Sequence, residues 1–196
     1  MKVDFHFHLE EGPYSFNWLQ RTARALQNAP DEPGIAYPSH TLEWIGELTK
    51  RLHARLEEGC FSDRWMERYM KRGKERGIER FGIVDHLYRF DEFKDYYEKY
   101  MLIDDSDLGR IQQEWLDKVR IGSIDRYLTA VRRMQQQGHP ISVGVEADFF
   151  PGGEAELKRL LDRYELDYVI GSVHFVDGWG FDNPDVQHMF EGKDLL

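Results

Sequence analysis

Four short apolar runs, each leading into a histidine or a carboxylate, are separated by segments of helical period, and this alternation constrains the fold more than any other feature. In the first run, Lys2 to His8, Val3, Phe5 and Phe7 alternate with Asp4, His6 and His8 at a strand's period of two. His6 and His8 therefore share one face. The run Phe81-Gly82-Ile83-Val84 delivers Asp85 and His86, Ile141 to Val145 carries Glu146 at its end, and Tyr168 to Ser172 leads into His174.

Between these strands the spacing predicts helices over Phe16 to Ala29, Thr41 to Glu58, Asp63 to Arg76, about Asp91 to Met101, Leu108 to Gln137 and Glu154 to Tyr164. Leu42, Ile45, Leu48, Leu52 and Leu56 form one stripe, with Gly59 in the stop position. Ser62 is placed to cap the next helix, whose Trp65, Met66, Tyr69 and Met70 face inward. Strands alternating with such helices imply parallel βαβ units, an α/β fold with candidate ligands at the C-terminal strand ends, as in a (β/α) barrel. Four strands are too few to close one, so the sheet is open or the chain is incomplete.

At 196 residues, with no linker, repeat or low-complexity tract, a single domain over 1–196 is the simplest organisation. No window approaches the roughly 18 apolar residues of a membrane span, and no apolar signal stretch follows Met1-Lys2-Val3-Asp4, so the expectation is a cytoplasmic protein without a membrane partner. The 26 Lys and Arg against 36 Asp and Glu, a net charge of −10, argue against nucleic acid. A small anion is still admissible where bound divalent cations reverse the local potential. Cys60 is the one cysteine and lies far from every motif, so a metal would be held by His and carboxylate, and a cysteine nucleophile is disfavoured.

Two imidazoles at i and i+2 of a strand can reach one ion at the roughly 2.0–2.1 Å that zinc requires. A competing reading makes His86 and His174 hydrogen-bonded core histidines, Glu146 a solvated turn residue and Asp85 a solvated carboxylate. Asp85 and Asp148 stand beside the candidate ligands and are placed to orient them. Val176 to Asp182 offers aromatic and carboxylate groups, Trp179 and Asp182 among them, or else is a glycine-rich loop with a core Trp. Arg89 or Arg110 is a candidate for holding an anion.

The ordered set His6-Phe7-His8, Val84-Asp85-His86, Gly144-Val145-Glu146 and Gly171-Ser172-Val173-His174-Phe175 resembles the PHP (polymerase and histidinol phosphatase) superfamily, and most closely its histidinol-phosphatase branch. The resemblance implies a distorted (β/α) barrel, up to three divalent metals (zinc, manganese or iron), and hydrolysis of a phosphate monoester. In that branch the ester is L-histidinol phosphate, cleaved to L-histidinol and phosphate in histidine biosynthesis. It also implies that His6 and His8 bind a first metal, Glu146 bridges the first and second, His174 binds the second and His86 belongs to the third.

Under this reading Glu146, His174 and Asp85 form the catalytic group, and Arg89, Trp179 and Asp182 contact a small phosphorylated metabolite. The attacking group is a metal-held hydroxide. Family members usually continue through a later His strand and a terminal Asp-x-His pair, which this chain lacks, and they often carry a His where Glu11 is the available substitute. The expected consequences are an incomplete C-terminal part, fewer metals, and a homo-oligomer that covers an open sheet edge. The alternative expectation is a catalytically impaired or inactive fragment with residual metal binding.

Overall fold

The computed structural model describes residues 1–9, 12–29, 32–183 and 186–191. Glu11 lies outside them. The chain forms two units: residues 1–83 with 125–142, and residues 84–124 with 143–196.

In the first unit, strand β1 (Val3–Phe7) runs parallel to β2 (Arg80–Ile83), with Val3 opposite Arg80, Asp4 opposite Phe81 and Phe7 opposite Ile83 across a register slip. Helices α1 (Phe16–Gln27), α2 (Leu42–Glu58) and α3 (Asp63–Glu75) separate them. Each begins with the same local chemistry: the hydroxyls of Ser15, Thr41 and Ser62 accept the backbone N–H of Trp18, Trp44 and Trp65, each at 3.2 Å. Such a cap satisfies a donor that the first helical turn otherwise leaves without a partner. Gly59, at φ 73°, ends α2 in a conformation that favours glycine. The buried indole of Trp65 donates to the Leu9 carbonyl at 3.0 Å and lies under the Arg55 guanidinium, 4.2 Å from its ring centroid.

On the α2 stripe Leu48 is buried, whereas Leu42, Ile45 and Leu56 are exposed. A short apolar repeat shows that a helix has a distinct face but not that a neighbour covers it. Tyr69 is half-buried, stacked on Phe7 with ring centroids 5.8 Å apart.

The second unit opens with Val84-Asp85-His86 and two short 3₁₀ turns, Leu87–Arg89 and Asp91–Phe93, before α4 (Lys94–Tyr100). The helix expected from Asp91 is therefore α-helical only from Lys94. The stretch Leu108 to Gln137, expected as one helix, is two, α5 (Asp107–Val119) and α6 (Ile124–Gln136), which begins at the unit boundary. Between them Gly122 takes φ 106°, and the chain crosses Phe90 as an isolated parallel bridge. Leu116, Val119, Ile124 and Tyr127 are all buried, so the apolar periodicity runs through the break and conceals it.

Strand β3 extends over Ile141–Asp148, longer than expected, and places Glu146 and Asp148 inside the strand. Helix α7 (Glu154–Leu161) connects it to β4 (Tyr168–Ser172), which pairs with it in parallel, Gly144 opposite Tyr168 through Asp148 opposite Ser172. Gly144 is required here, because a Cβ would lie 2.5 Å from the Tyr168 ring. The segment after His174 is a β-hairpin, β5 (Phe175–Val176) against β6 (Trp179–Gly180), with Asp177 and Gly178 at positive φ. A two-residue Asp-Gly connection of this kind suits the twist of the flanking strands. No helix among the described residues is long and apolar enough to cross a membrane.

Gly144→Ala should cost about 1–3 kcal/mol in urea unfolding by overpacking against Tyr168. Gly171→Ala, where a Cβ meets nothing within 4 Å, serves as the control with a smaller loss. In the first unit, hydrogen bonds from Arg133 hold the Asp63 carboxyl below its ordinary value, against a smaller opposing effect of burial, with Gln137 assisting. A depressed carboxyl pKa contributes stability that is whole above the ordinary value of about 3.9 and lost as pH falls through the folded value. Stability measured from pH ~5 down to ~3 should therefore fall more steeply for the native chain than for Asp63→Asn.

Candidate metal centre

Parallel pairing brings three segments of the second unit to one place. The Glu146 N–H donates to the Asp85 carbonyl at 2.9 Å, and His86 bridges Glu146 in parallel, so His86 and Glu146 are set side by side by backbone alone. Strand β4 then delivers His174 beyond its last paired residue, Ser172. The carboxylate of Glu146, 5% exposed, lies between the two rings: His174 Nε2 is 3.4 Å from Oε1 and His86 Nδ1 is 3.7 Å from Oε2. The three side chains each present a ligand atom within 4.8 Å of the others.

These separations exceed a hydrogen bond of about 2.7–3.2 Å. They match the roughly 3.4 Å between two donor atoms that each lie about 2.1 Å from a tetrahedrally coordinated ion. The donor set, two imidazoles and one carboxylate, is the chemistry that zinc, manganese and iron accept. The residues present therefore fit a divalent metal.

The surroundings hold each ring. His86 is stacked on Tyr88, with centroids 4.6 Å apart and planes at 15°. Its backbone N–H donates to Asp85 Oδ1 at 2.9 Å, and the same oxygen is 3.3 Å from Arg89 Nη1. Asp85 and Arg89 are both buried, so Asp85 is no solvated carboxylate, and Arg89 directs Nη1 to Asp85. Glu146 is likewise buried, which removes the reading of a solvated turn residue. Arg110, by contrast, is exposed and paired with Asp107.

His174 Nδ1 lies 2.7 Å from Asp148 Oδ1, a fully buried carboxylate that also accepts from Tyr97 Oη at 2.8 Å and Ser172 Oγ at 3.2 Å. The hydrogen bond to Asp148 raises the His174 pKa against the opposing effect of burial, and the charges of Asp148, Asp182 and Glu146 add to the rise. Burial, reinforced by the Asp148 charge, pushes the Tyr97 phenol well up.

Beside His174 a cleft of about 180 Å³ is lined by Tyr88, Trp115, Phe175, Gln112, Asp182 and Asn183. Asp182 is exposed, its Oδ2 3.9 Å from His174 Nε2. Trp179 is half-buried on β6, and Cys60 is buried in the first unit. His6 lies in β1 and His8 directly follows it in the first unit, with ring centroids 5.2 Å apart. Tyr88, Tyr97, Gln112 and Trp115 were not legible as site residues. Tyr97 reaches Asp148 across 51 positions, and no local pattern encodes that contact.

The PHP domain family profile matches residues 60–195, a range that includes every second-unit residue named above. A "Probable histidinol-phosphatase" of Deinococcus radiodurans is 37% identical over 87 residues, covering 41% of this chain and 34% of that protein. A second "Probable histidinol-phosphatase", from Schizosaccharomyces pombe, is 28% identical over 116 residues, covering 57% of this chain and 34% of that protein. The matches thus span about a third of the length of these curated relatives. With its family profile matched over more than half of its length, the chain belongs to the PHP domain family.

Proposed function

We propose that this chain is a metal-dependent phosphomonoesterase whose substrate is L-histidinol phosphate, hydrolysed to L-histidinol and phosphate. The observation that carries the reading is the buried Glu146 carboxylate facing one imidazole with each of its oxygens. The relatives' names support the substrate class, and the cleft beside His174 supports it chemically. Aromatic walls from Tyr88, Trp115 and Phe175, with the Asp182 carboxylate at the rim, suit a leaving alcohol that carries an imidazole and an ammonium.

Glu146, His86 and His174 would hold the metal. Bound there, a divalent cation supplies Lewis acidity toward a phosphoryl oxygen and lowers the pKa of a coordinated water. The chain's own contribution is orientation. Tyr88 fixes the plane of His86, Asp148 fixes His174, and Glu146 turns a different oxygen toward each imidazole, which suits a bridging ligand. Asp182, next to the cleft, places negative charge where a cationic leaving alcohol would rest. His6 and His8 are further proposed metal ligands, and Asp85 positions His86 through its backbone.

Elemental analysis of protein purified without chelator should give at least one zinc, manganese or iron per chain. His86→Ala with His174→Ala should remove metal. His6→Ala with His8→Ala should lower the stoichiometry as well, and unchanged content in both double variants would refute the ligand assignment. Glu146→Gln, which keeps the shape but removes the charge, should reduce Mn²⁺- or Zn²⁺-supported hydrolysis of L-histidinol phosphate by at least about 100-fold, as expected where a metal-held nucleophile is lost. Metal binding by the native chain without turnover of that ester would favour the alternative reading of an inactive family member.

A further inference from the structure

Asp148 has no role in the ligand set, yet it is fully buried and engaged by three side chains. It lies two residues beyond Glu146 on β3, so both side chains project from one face of the strand. It is 0% exposed, and a buried carboxylate is costly unless its oxygens are filled. Three side chains fill them: Tyr97 from α4 on Oδ2, and Ser172 from β4 together with His174 on Oδ1. Ser172 is the registered partner of Asp148 across β3 and β4, so the pairing of the strands itself sets this contact.

A carboxylate accepts and does not donate, so the 2.7 Å contact places the imidazole proton of neutral His174 on Nδ1. The lone pair is then on Nε2. That atom faces Glu146 Oε1 at 3.4 Å and Asp182 Oδ2 at 3.9 Å, on the side of the ring opposite Asp148.

We propose that Asp148, held by Tyr97 and Ser172, is a positioning residue that locks His174 in the Nδ1–H form and aims Nε2 at the ion shared with Glu146. The inference rests on the metal-centre reading and adds which nitrogen binds and what selects it. Partners of this kind orient a ligand and raise its basicity, and their loss commonly costs about 10- to 100-fold in metal affinity.

The test combines a tautomer readout with zinc affinity. In ¹⁵N-labelled, metal-free protein at about pH 9, above the ordinary imidazole range, the ring nitrogens of His174 should report the Nδ1–H form rather than the Nε2–H form usual for a free imidazole. Asp148→Asn keeps an acceptor for Nδ1–H and should retain that tautomer while weakening Zn²⁺ in competition with a chromophoric chelator. Asp148→Ala should lose the tautomer and weaken Zn²⁺ by about 10- to 100-fold. Tyr97→Phe, which leaves Oδ1 untouched, should weaken Zn²⁺ by a smaller factor and keeps the test alive if Asp148→Ala does not fold.

An Nε2–H ring in the native protein would overturn the assignment whatever the metal does. A folded Asp148→Ala chain with native tautomer and native zinc affinity would overturn it too. A native protein with the Nδ1–H ring that binds no zinc would instead overturn the metal-centre reading on which the proposal rests, so the two failures are distinguishable.

Discussion

Strand β3 buries two carboxylates two residues apart, and the organisation of the second unit follows from what that burial demands. Removing a carboxylate from water costs several kcal/mol unless donors or cations replace the lost hydration. Asp148 meets the demand with three side-chain donors drawn from α4, β4 and the residue two beyond β4. Glu146 meets imidazoles at 3.4 and 3.7 Å, a spacing that suits an intervening cation better than direct hydrogen bonds. The two acids therefore differ in their surroundings: Asp148 is ringed by three side-chain donors, whereas Glu146 faces two imidazoles at a spacing that would suit a cation.

The local charge balance points the same way. Asp85, Glu146, Asp148 and Asp182 bring four carboxylates to the centre, where Arg89 pairs with Asp85. The hydrogen bond to Asp148, with the charges of Asp148, Asp182 and Glu146, raises the His174 pKa, and these carboxylates would give a divalent cation a favourable electrostatic environment. On a chain of net charge −10, such an ion would, under the proposed function, offer a direct way to admit an anionic phosphate ester. Around this polar centre the walls are aromatic. Phe150 stacks on Phe175 at 5.1 Å, and Tyr88 meets Trp115 at 4.8 Å, so the rings that carry the ligands lie against large, stiff side chains.

Much of the centre was legible in advance because its chemistry is tied to strand ends. His86 and His174 follow short apolar runs, and Glu146 sits in one, so the period-two pattern that reveals the strand also gives the location of the candidate ligand. The cap at Ser62 is equally local, and the structure adds the same chemistry at Ser15 and Thr41, each a hydroxyl three residues before a tryptophan. What failed was either a continuation of pattern or an unread turn. The periodicity from Leu116 to Tyr127 runs unbroken across Gly122, where the helix does not, and the glycine-rich composition of Val176 to Asp182 conceals the Asp177-Gly178 hairpin turn.

The sequence by itself determined the alternation of strand and helix, the parallel α/β class, and which histidines and carboxylates stand at strand ends, because each depends on periods of two or 3.6 residues within one segment. Tertiary structure alone decided that Glu146 and Asp85 are buried, that Tyr97 and Ser172 hold Asp148, and that Asp148 rather than Glu146 takes the Nδ1 side of His174. The contacts of Asp148 join residues 24 to 51 positions apart through strand register and helix packing. Direction in space is set when the segments meet, and no segment read alone carries it.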